Sequence, residues 1–589
     1  MALATTTSEL TEPPSRSTRR RPTPGLVAAV LGVLGVGYRL GLLLAEVPPS
    51  NSDEAVTGLV ARHVAQGREF PLFFYGQYYM GALESYLAAP LFAVVGSSTF
   101  VLRLPNLLLY AAFLALMWQL TRRLYTPWLA AATVGLLALG SDRIVKNQLI
   151  AGGGYPEMNP AGALLVLLAV NLGLGVVRRP GPAYAGFGLV AGLTLWDDWL
   201  ILPYVGAATA VLLGFGWRSL NPFQPSVAVR HGHRWKSGRR RRAVQVEEDS
   251  LGGRAGLALG TGLAVGLVPI VAHNLTAAPE HRSLAVYAGL GGGGAGSWPE
   301  RLYGGVLLGL PMGTGLCPPG RCAPWQLWWG VAYPVLLAVA AALAWRALRR
   351  ATDRANRVRQ AGRLALLAGA ALSLLAYAGS GAAATTPVES ARYLSVLLIS
   401  TPAVLWPLWS VLTRPDGTGP SWPATSIGTA RPGRSRPAGA APAVRLAAAA
   451  PLAGLAASMV LASAALVAAG PELARKAAQR RDLVAGLDRL GVRRFYADYW
   501  TCNNIIFLSR ERIVCGVLGA DLRAGWDRHP RYPRLVAEAH RPAFVLAERS
   551  ALDAAIRAHL GDTGPPITVT AVAGHHVYQP AGPVGLPLR

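Results

Sequence analysis

The sequence predicts an all-α polytopic membrane protein of about eleven transmembrane helices, followed by a small C-terminal α/β domain outside the bilayer. Three observations predict it. Of 589 residues, 52% are apolar and 15% charged, against about 25% charged in soluble chains, and the mean hydropathy is +0.34. The apolar residues fall in blocks of about 15 to 25, enough to cross a hydrocarbon core roughly 30 Å thick, where backbone groups must be bonded internally and such blocks are helices. Basic residues collect in alternate gaps between those blocks, as the positive-inside rule requires. The net charge of +26 therefore marks topology, not nucleic-acid binding, since no aromatic residues interleave with the arginines in a stacking pattern.

Each element follows in order. Residues 1–24 form a basic cytoplasmic N-terminus with Arg16, Arg19, Arg20 and Arg21. The stretch from Gly25 to Ala45 is too long for a signal-peptide core and has no small-residue cleavage site after it, so it reads as the first spanning helix, leaving the cytoplasm. Glu46 to Arg103 is too polar to span repeatedly and too apolar for a free loop; helices lying in the interface fit it. Further spans run from Pro105 to Leu120, from Pro127 to Gly140 and from Ala161 to Val177, with Arg122, Arg123, Arg178 and Arg179 at inner ends. A hairpin occupies Tyr184 to Gly216. The 217–254 loop, with nine Lys or Arg against three acids, is cytoplasmic. A seventh helix ends near His273, and an outer loop continues to Pro324. The eighth returns to Arg346–Arg363, which holds seven basic residues and one acid. The ninth and tenth flank a short outer loop with Glu389, Arg392 and Tyr393. The 412–445 segment is a Pro- and Arg-rich cytoplasmic linker that reads as disordered, and Leu446 to Gly470 crosses outward. The membrane domain is thus 25–470.

Residues 471–589 contain no spanning block. Helical spacing in Leu483, Leu487 and Leu490 precedes strand-like runs at Arg494–Trp500, Arg512–Val517, Ala543–Ala547 and Ile567–Val572. Helix parity puts this domain on the extracytoplasmic side of the cell membrane, with the N-terminus inside. Cys317, Cys322, Cys502 and Cys515 all fall in segments that the charge pattern places outside. In that oxidising compartment two local disulfides are expected, Cys317–Cys322 and Cys502–Cys515.

Asp53-Glu54 draws most attention among residues that could carry chemistry. It opens the amphipathic segment at the membrane–water interface, where a carboxylate can reach both a lipid-anchored and a water-borne substrate and desolvation improves it as a base. The competing reading is a helix N-terminus capped by Asn51, Ser52 or Asp53; both stand open. Glu157 follows Gly152-Gly153-Gly154-Tyr155-Pro156, a backbone that can approach a ligand closely. Glu84 lies on an otherwise apolar stretch, where an ionisable group points to function. Asp197 and Asp198 sit at a hairpin turn and read more simply as solvated turn acids. Arg62, His63, Lys146, Arg282, Arg301 and Arg392 are outer-face cations able to meet a phosphate, or interfacial anchors; Arg392-Tyr393, at the mouth of the tenth helix, faces the cavity best.

These residues together resemble the C-type (GT-C) membrane glycosyltransferases, in particular the glycosyltransferase-family-39-like group of protein O-mannosyltransferases and aminoarabinose transferases. Asp53-Glu54 is similar to their acidic motif after the first helix. Leu91-Phe92-Ala93-Val94-Val95-Gly96, Leu102-Arg103-Leu104-Pro105 and Thr121-Arg122-Arg123-Leu124-Tyr125 resemble the region that follows, and Gly154-Tyr155-Pro156-Glu157 falls at their second outer loop. Arg392-Tyr393 resembles a late Arg-Tyr, and Ala497-Asp498-Tyr499-Trp500 looks like bacterial relatives with an outer C-terminal domain. The resemblance implies transfer of a sugar, with inversion, from a polyprenyl-phosphate donor to a protein, glycan or lipid acceptor. It implies Asp53 as base, with Glu54 beside it and Glu157 as second acid; Glu84, Arg62, His63, Lys146, Arg392 and Tyr393 as donor or acceptor contacts; and, in some members, a divalent Mg, Mn or Ca ion that Asp53 and Glu157 would hold. The chain departs from the pattern at Tyr78-Tyr79-Met80-Gly81, where many members have a Lys or His before Pro-Pro. A lipid or glycan transporter or flippase is the alternative, but internal repeats and mid-span charges, its usual marks, are not found.

Overall fold

A computed structural model describes residues 22–220, 251–289, 296–413, 440–563 and 565–586. Most of the basic N-terminus, most of the 217–254 loop and most of the 412–445 linker lie outside the described residues. Helix α1 spans Pro24–Leu44, started by the Thr23 side chain and Pro24 in the first turn. Helix α2 is Ser52–Ala65 and α3 is Leu83–Val95, two short helices between spans. Helix α4, Thr99–Leu124, is capped by Ser98 and ends on Arg122 and Arg123. Then come α5 (Pro127–Leu137), α6 (Asp142–Leu149), α7 (Tyr155–Gly173), α8 (Pro180–Asp197), α9 (Leu202–Leu220) and α10 (Leu251–Thr276). Three further spans cover Pro324–Arg350, Arg354–Gly379 and Pro387–Leu412.

Eight helices among the described residues are long and apolar enough to cross a membrane, nine if the bent pair α5–α6 counts as one. Eleven is not reached by this measure: α7 and α8 are helices of 19 and 18 residues, diluted by prolines, glycines and a polar first or last turn.

The bend between α5 and α6, 93°, removes helical partners from the carbonyls before it, which in lipid must be satisfied otherwise. Arg39 of α1 does this. Its side chain is 0% exposed, donates to the Ala138 and Leu139 carbonyls and to Gln148, and stacks on Tyr110. Helices α8 and α10 meet through paired glycines, as close-packed membrane helices do. A Cβ on Gly262 would lie 2.0 Å from the Ala185 carbonyl oxygen, and one on Gly188 2.2 Å from that of Leu259.

The C-terminal part begins within a single helix of 50 residues, Ala440–Arg489. At 1.5 Å per residue it extends about 75 Å, far more than a bilayer needs, so the expected span and the expected Leu483–Leu490 helix are one rod. Five strands follow: β1 Arg494–Ala497, β2 Val514–Val517, β3 Ala543–Ala547, β4 Ile567–Val572 and β5 His575–Pro580. Their order is β2-β1-β3-β5-β4, parallel across β2-β1-β3 and antiparallel across β3-β5-β4. The expected run from Arg494 stops at Ala497 because Asp498 caps the helix Tyr499–Leu508; β5 was not anticipated. Both expected disulfides are formed, Cys317–Cys322 and Cys502–Cys515.

The hydrophobic core does not divide at residue 471. Ala55, Leu59, Phe92 and Leu102, from α2 to α4, share one buried cluster with Phe495, Phe507, Val514 and Phe544 of the C-terminal domain. The C-terminal domain therefore sits directly on the segment that follows α1.

Candidate functional site

The first turn of α2 is set by Asn51, whose side chain accepts from the Glu54 amide at 2.8 Å. This fixes Asp53 and Glu54 on different sides of the helix and gives them different surroundings. Glu54 is fully buried and held by both arms of Arg103, Nε to Oε1 and Nη2 to Oε2, each 2.6 Å. Asp53 remains a quarter exposed at its side chain, 24%. Its Oδ1 accepts from the Tyr499 hydroxyl at 2.5 Å and lies 3.4 Å from Arg528 Nη2; Arg528 Nε in turn donates to the Tyr499 oxygen at 2.8 Å. Burial, with Asp53 beside it, pushes the Tyr499 phenol well above its usual range, so it stays a donor. Both partners come from the C-terminal domain. Asp53 Oδ2 makes no hydrogen bond among the described residues.

Arg528 is packed among Phe74, Tyr499 and Trp526. It is within electrostatic reach of Tyr79, which also senses Asp198 and Arg392. Arg392 lies over Tyr155 and Tyr393 and is in reach of Asp53. Arg143, on α6, is close enough to Arg392 for the two guanidinium groups to oppose one another. The Nε of each is buried without a hydrogen-bond partner, and neither makes a salt bridge among the described residues. Arg143 Nη2 donates to the Val388 carbonyl at 2.7 Å, and the two half-buried cations side by side make a place for an anion with several oxygens.

Beside this lies a carboxylate group. Glu84 is 4% exposed, Glu157 5% and Asp197 2%. Glu84 Oε2 accepts from the Gly153 amide at 2.9 Å. Burial, with Asp197 nearby, pushes the Glu84 carboxyl up, while amides of the Gly152–Gly154 turn pull it back. Gly153 and Gly154 have φ of +95° and +88°, which only glycine adopts at little cost; a Cβ on Gly154 would also lie 2.7 Å from that of Asp198. Both oxygens of Glu157 are buried, and its carboxyl lies within side-chain hydrogen-bonding reach of Asp197. Asp198, which caps the turn Trp199–Ile201, is pushed up to about 7 by burial.

Several expectations change. Glu54 faces Arg103, not the side of Asp53. Arg62 is buried against the C-terminal domain, donating to the Phe507 carbonyl at 2.8 Å, and His63 contacts Tyr75 and Glu511; neither lines the Asp53 site, because the C-terminal domain covers that face of α2. Lys146 pairs with Asp142 one helical turn away, 2.9 Å. Asp197 is buried, so it is no solvated turn acid. Asp53 and Glu157 belong to no group of three potential ligands among the described residues. Among the described residues, only His63, Glu69 and His529 form a group of three such side chains with donor atoms within 4.8 Å of one another. Arg143 and Arg528 had not been singled out. The run Trp526-Asp527-Arg528-His529 was the available signal for the second.

No protein-family profile matches the chain, and no curated protein sequence matches it. Among solved structures it is similar to ArnT from Cupriavidus metallidurans bound to undecaprenyl phosphate, with a TM-score of 0.54 and 12% identity over 94% of this chain and 97% of that one. The apo state of the same protein gives a TM-score of 0.52 at 12% identity, over 94% and 97%. The archaeal oligosaccharyltransferase AglB from Archaeoglobus fulgidus, in complex with an inhibitory peptide and a dolichol-phosphate, gives 0.41 at 13% identity, over 94% and 74%. The chain has the GT-C membrane fold.

Proposed function

We propose that the chain is a membrane glycosyltransferase that moves a sugar from a polyprenyl-phosphate donor to an acceptor hydroxyl at the extracytoplasmic face. The observation that carries this is the pairing of a partly exposed carboxylate, Asp53, with two half-buried guanidinium groups that make no salt bridge among the described residues, Arg143 and Arg392. A structure with the same fold is described as bound to undecaprenyl phosphate, which suits a donor of that class. A protein, glycan or lipid acceptor enters beside Asp53.

In the proposed step the acceptor oxygen attacks the anomeric carbon from the face opposite the phosphate, and the sugar C1–O bond breaks with inversion. The acceptor proton passes to Asp53 Oδ2 and the bonding electrons leave with the polyprenyl phosphate, whose charge Arg392 and Arg143 offset. Tyr499 and Arg528 hold Oδ1, so that Oδ2 stays aimed at the acceptor. Glu54 has a holding role here. Glu157 and Glu84, buried with Asp197, would bind sugar hydroxyls. No step is routed through a divalent ion.

The test incubates membranes containing the chain with polyprenyl-phosphate mannose or arabinose carrying a radiolabel in the sugar. Release of label from the lipid fraction, lost in Asp53→Asn and in Arg392→Ala, is the expected result. A purified chain that translocates the lipid and never cleaves it would be a transporter, and the proposal would fail.

A further inference from the structure

A second constellation lies away from Asp53, on the seam between α2, the 66–82 loop and the C-terminal domain. His63 is 2% and His529 8% exposed, and Glu69 reaches between them. His63 Nδ1 is 3.6 Å from Glu69 Oε2, and His529 Nε2 is 3.2 Å from each Glu69 oxygen. A tetrahedral ion with bonds of about 2.0–2.1 Å separates its ligand atoms by about 3.4 Å. The two separations from Glu69 fall on either side of that edge, and the His63 and His529 nitrogens lie within 4.8 Å of one another.

The surroundings suit a ligand role. His63 Nε2 lies 3.1 Å from Glu511 Oε1. An N–H directed at that carboxylate turns the Nδ1 lone pair toward Glu69, His529 and the Tyr75 hydroxyl, the device that usually orients a metal-bound imidazole. The Tyr75 hydroxyl is 2.6 Å from both His63 Nδ1 and Glu69 Oε2. In that tautomer its single proton faces two acceptors, a conflict that a cation between them removes.

We propose that His63, Glu69 and His529 bind one divalent transition-metal ion of the Zn2+ class. Two imidazoles and a carboxylate favour such an ion over Mg2+ or Ca2+, which take oxygen ligands. The bound ion joins three parts of the chain: α2, which carries Asp53; the loop that carries Tyr79; and the residue next to Arg528. It is therefore a staple that holds the C-terminal domain over the site, and it stands whether or not the proposed transfer reaction does.

The full chain, without a polyhistidine tag, is purified in detergent, stripped with chelator, loaded with Zn2+, desalted and assayed for metal by mass spectrometry. His231 and His233 lie outside the described residues, so the quantity read is the difference between wild type and variant. The expected difference is one Zn2+ per chain for His529→Gln and for Glu69→Gln, with His529→Cys restoring it. Zn2+ affinity at this site falls about 100-fold or more in His529→Gln, beyond what loss of a supporting contact alone costs. Zn2+ raises the Tm of stripped wild type and not that of His529→Gln, and Mg2+ raises neither. Wild type that retains no Zn2+, or variants that retain as much as wild type, would overturn the proposal.

Discussion

Glu54 and Arg103 form the most consequential buried pair next to the site, and its removal separates a holding role from a chemical one. The carboxylate is 0% and the guanidinium 2% exposed, and two charge-assisted bonds of 2.6 Å join them. At an effective dielectric of 20 and roughly 4 Å between charge centres, the attraction is about 4 kcal/mol. Glu54→Leu leaves the guanidinium buried without its counter-charge, at a cost of about 3–5 kcal/mol, and Arg103→Met does the same to the carboxylate. For a chain of 589 residues that is a fall in Tm of about 2–4 °C. The double variant removes both charges and fills the space with apolar groups. Its remaining deficit is about 1–2 kcal/mol, for the Pro48 carbonyl that Arg103 Nη1 also binds at 2.8 Å and the Ala151 amide 3.4 Å from Glu54 Oε1. Tryptophan-fluorescence melting of the four proteins in detergent gives the cycle, and label release from the donor lipid gives activity. Recovery of both Tm and transfer in the double variant is expected. A double variant no more stable than the singles would refute the ion-pair account, and one that is stable but inactive would return Glu54 to the chemistry.

Arg528→Ala should lower transfer on the order of 100-fold by loosening Asp53, with Arg528→Lys in between because it keeps the charge without the fork; full activity in Arg528→Ala would remove Arg528 from the holding of Asp53. Burial pushes the Asp527 carboxyl up to about 7, so the folded chain holds a proton there that the unfolded chain has lost above about 4. Stability from this group is present below that value and declines as pH rises through about 7, by at most about 4 kcal/mol; Asp527→Asn, whose carbonyl still accepts from Val517, should flatten Tm between pH 5 and 8, and an unchanged slope would count against it. Gly262→Leu should force α8 and α10 apart, costing about 1–3 kcal/mol or more, and accumulation equal to wild type would contradict the close contact.

The membrane character, the succession of helices, the two disulfides and the helix start after α1 were all legible along the chain. Each rests on a local quantity: runs of apolar residues, Lys and Arg counts between them, cysteine spacing, and a capping residue ahead of two acids. The same local signals could not distinguish Asp53 from Glu54. They are neighbours with the same chemistry, and only Arg103, 49 residues further on, makes one a buried strut and leaves the other open.

Other site residues were out of reach for the same reason. Asp197 looked like a turn acid until Glu84 and Glu157 came to surround it. Arg39 sat unnoticed in an apolar run because its partners are carbonyls freed by a bend 100 residues away. Tyr499 and Arg528 belong to what reads as a separate domain, yet they complete the surroundings of Asp53 because α2 and the C-terminal sheet share one core. Hydropathy and charge are properties of a segment and survive in one dimension. Which carboxylate stays free depends on the partner that folding brings to it, and that was decided in three.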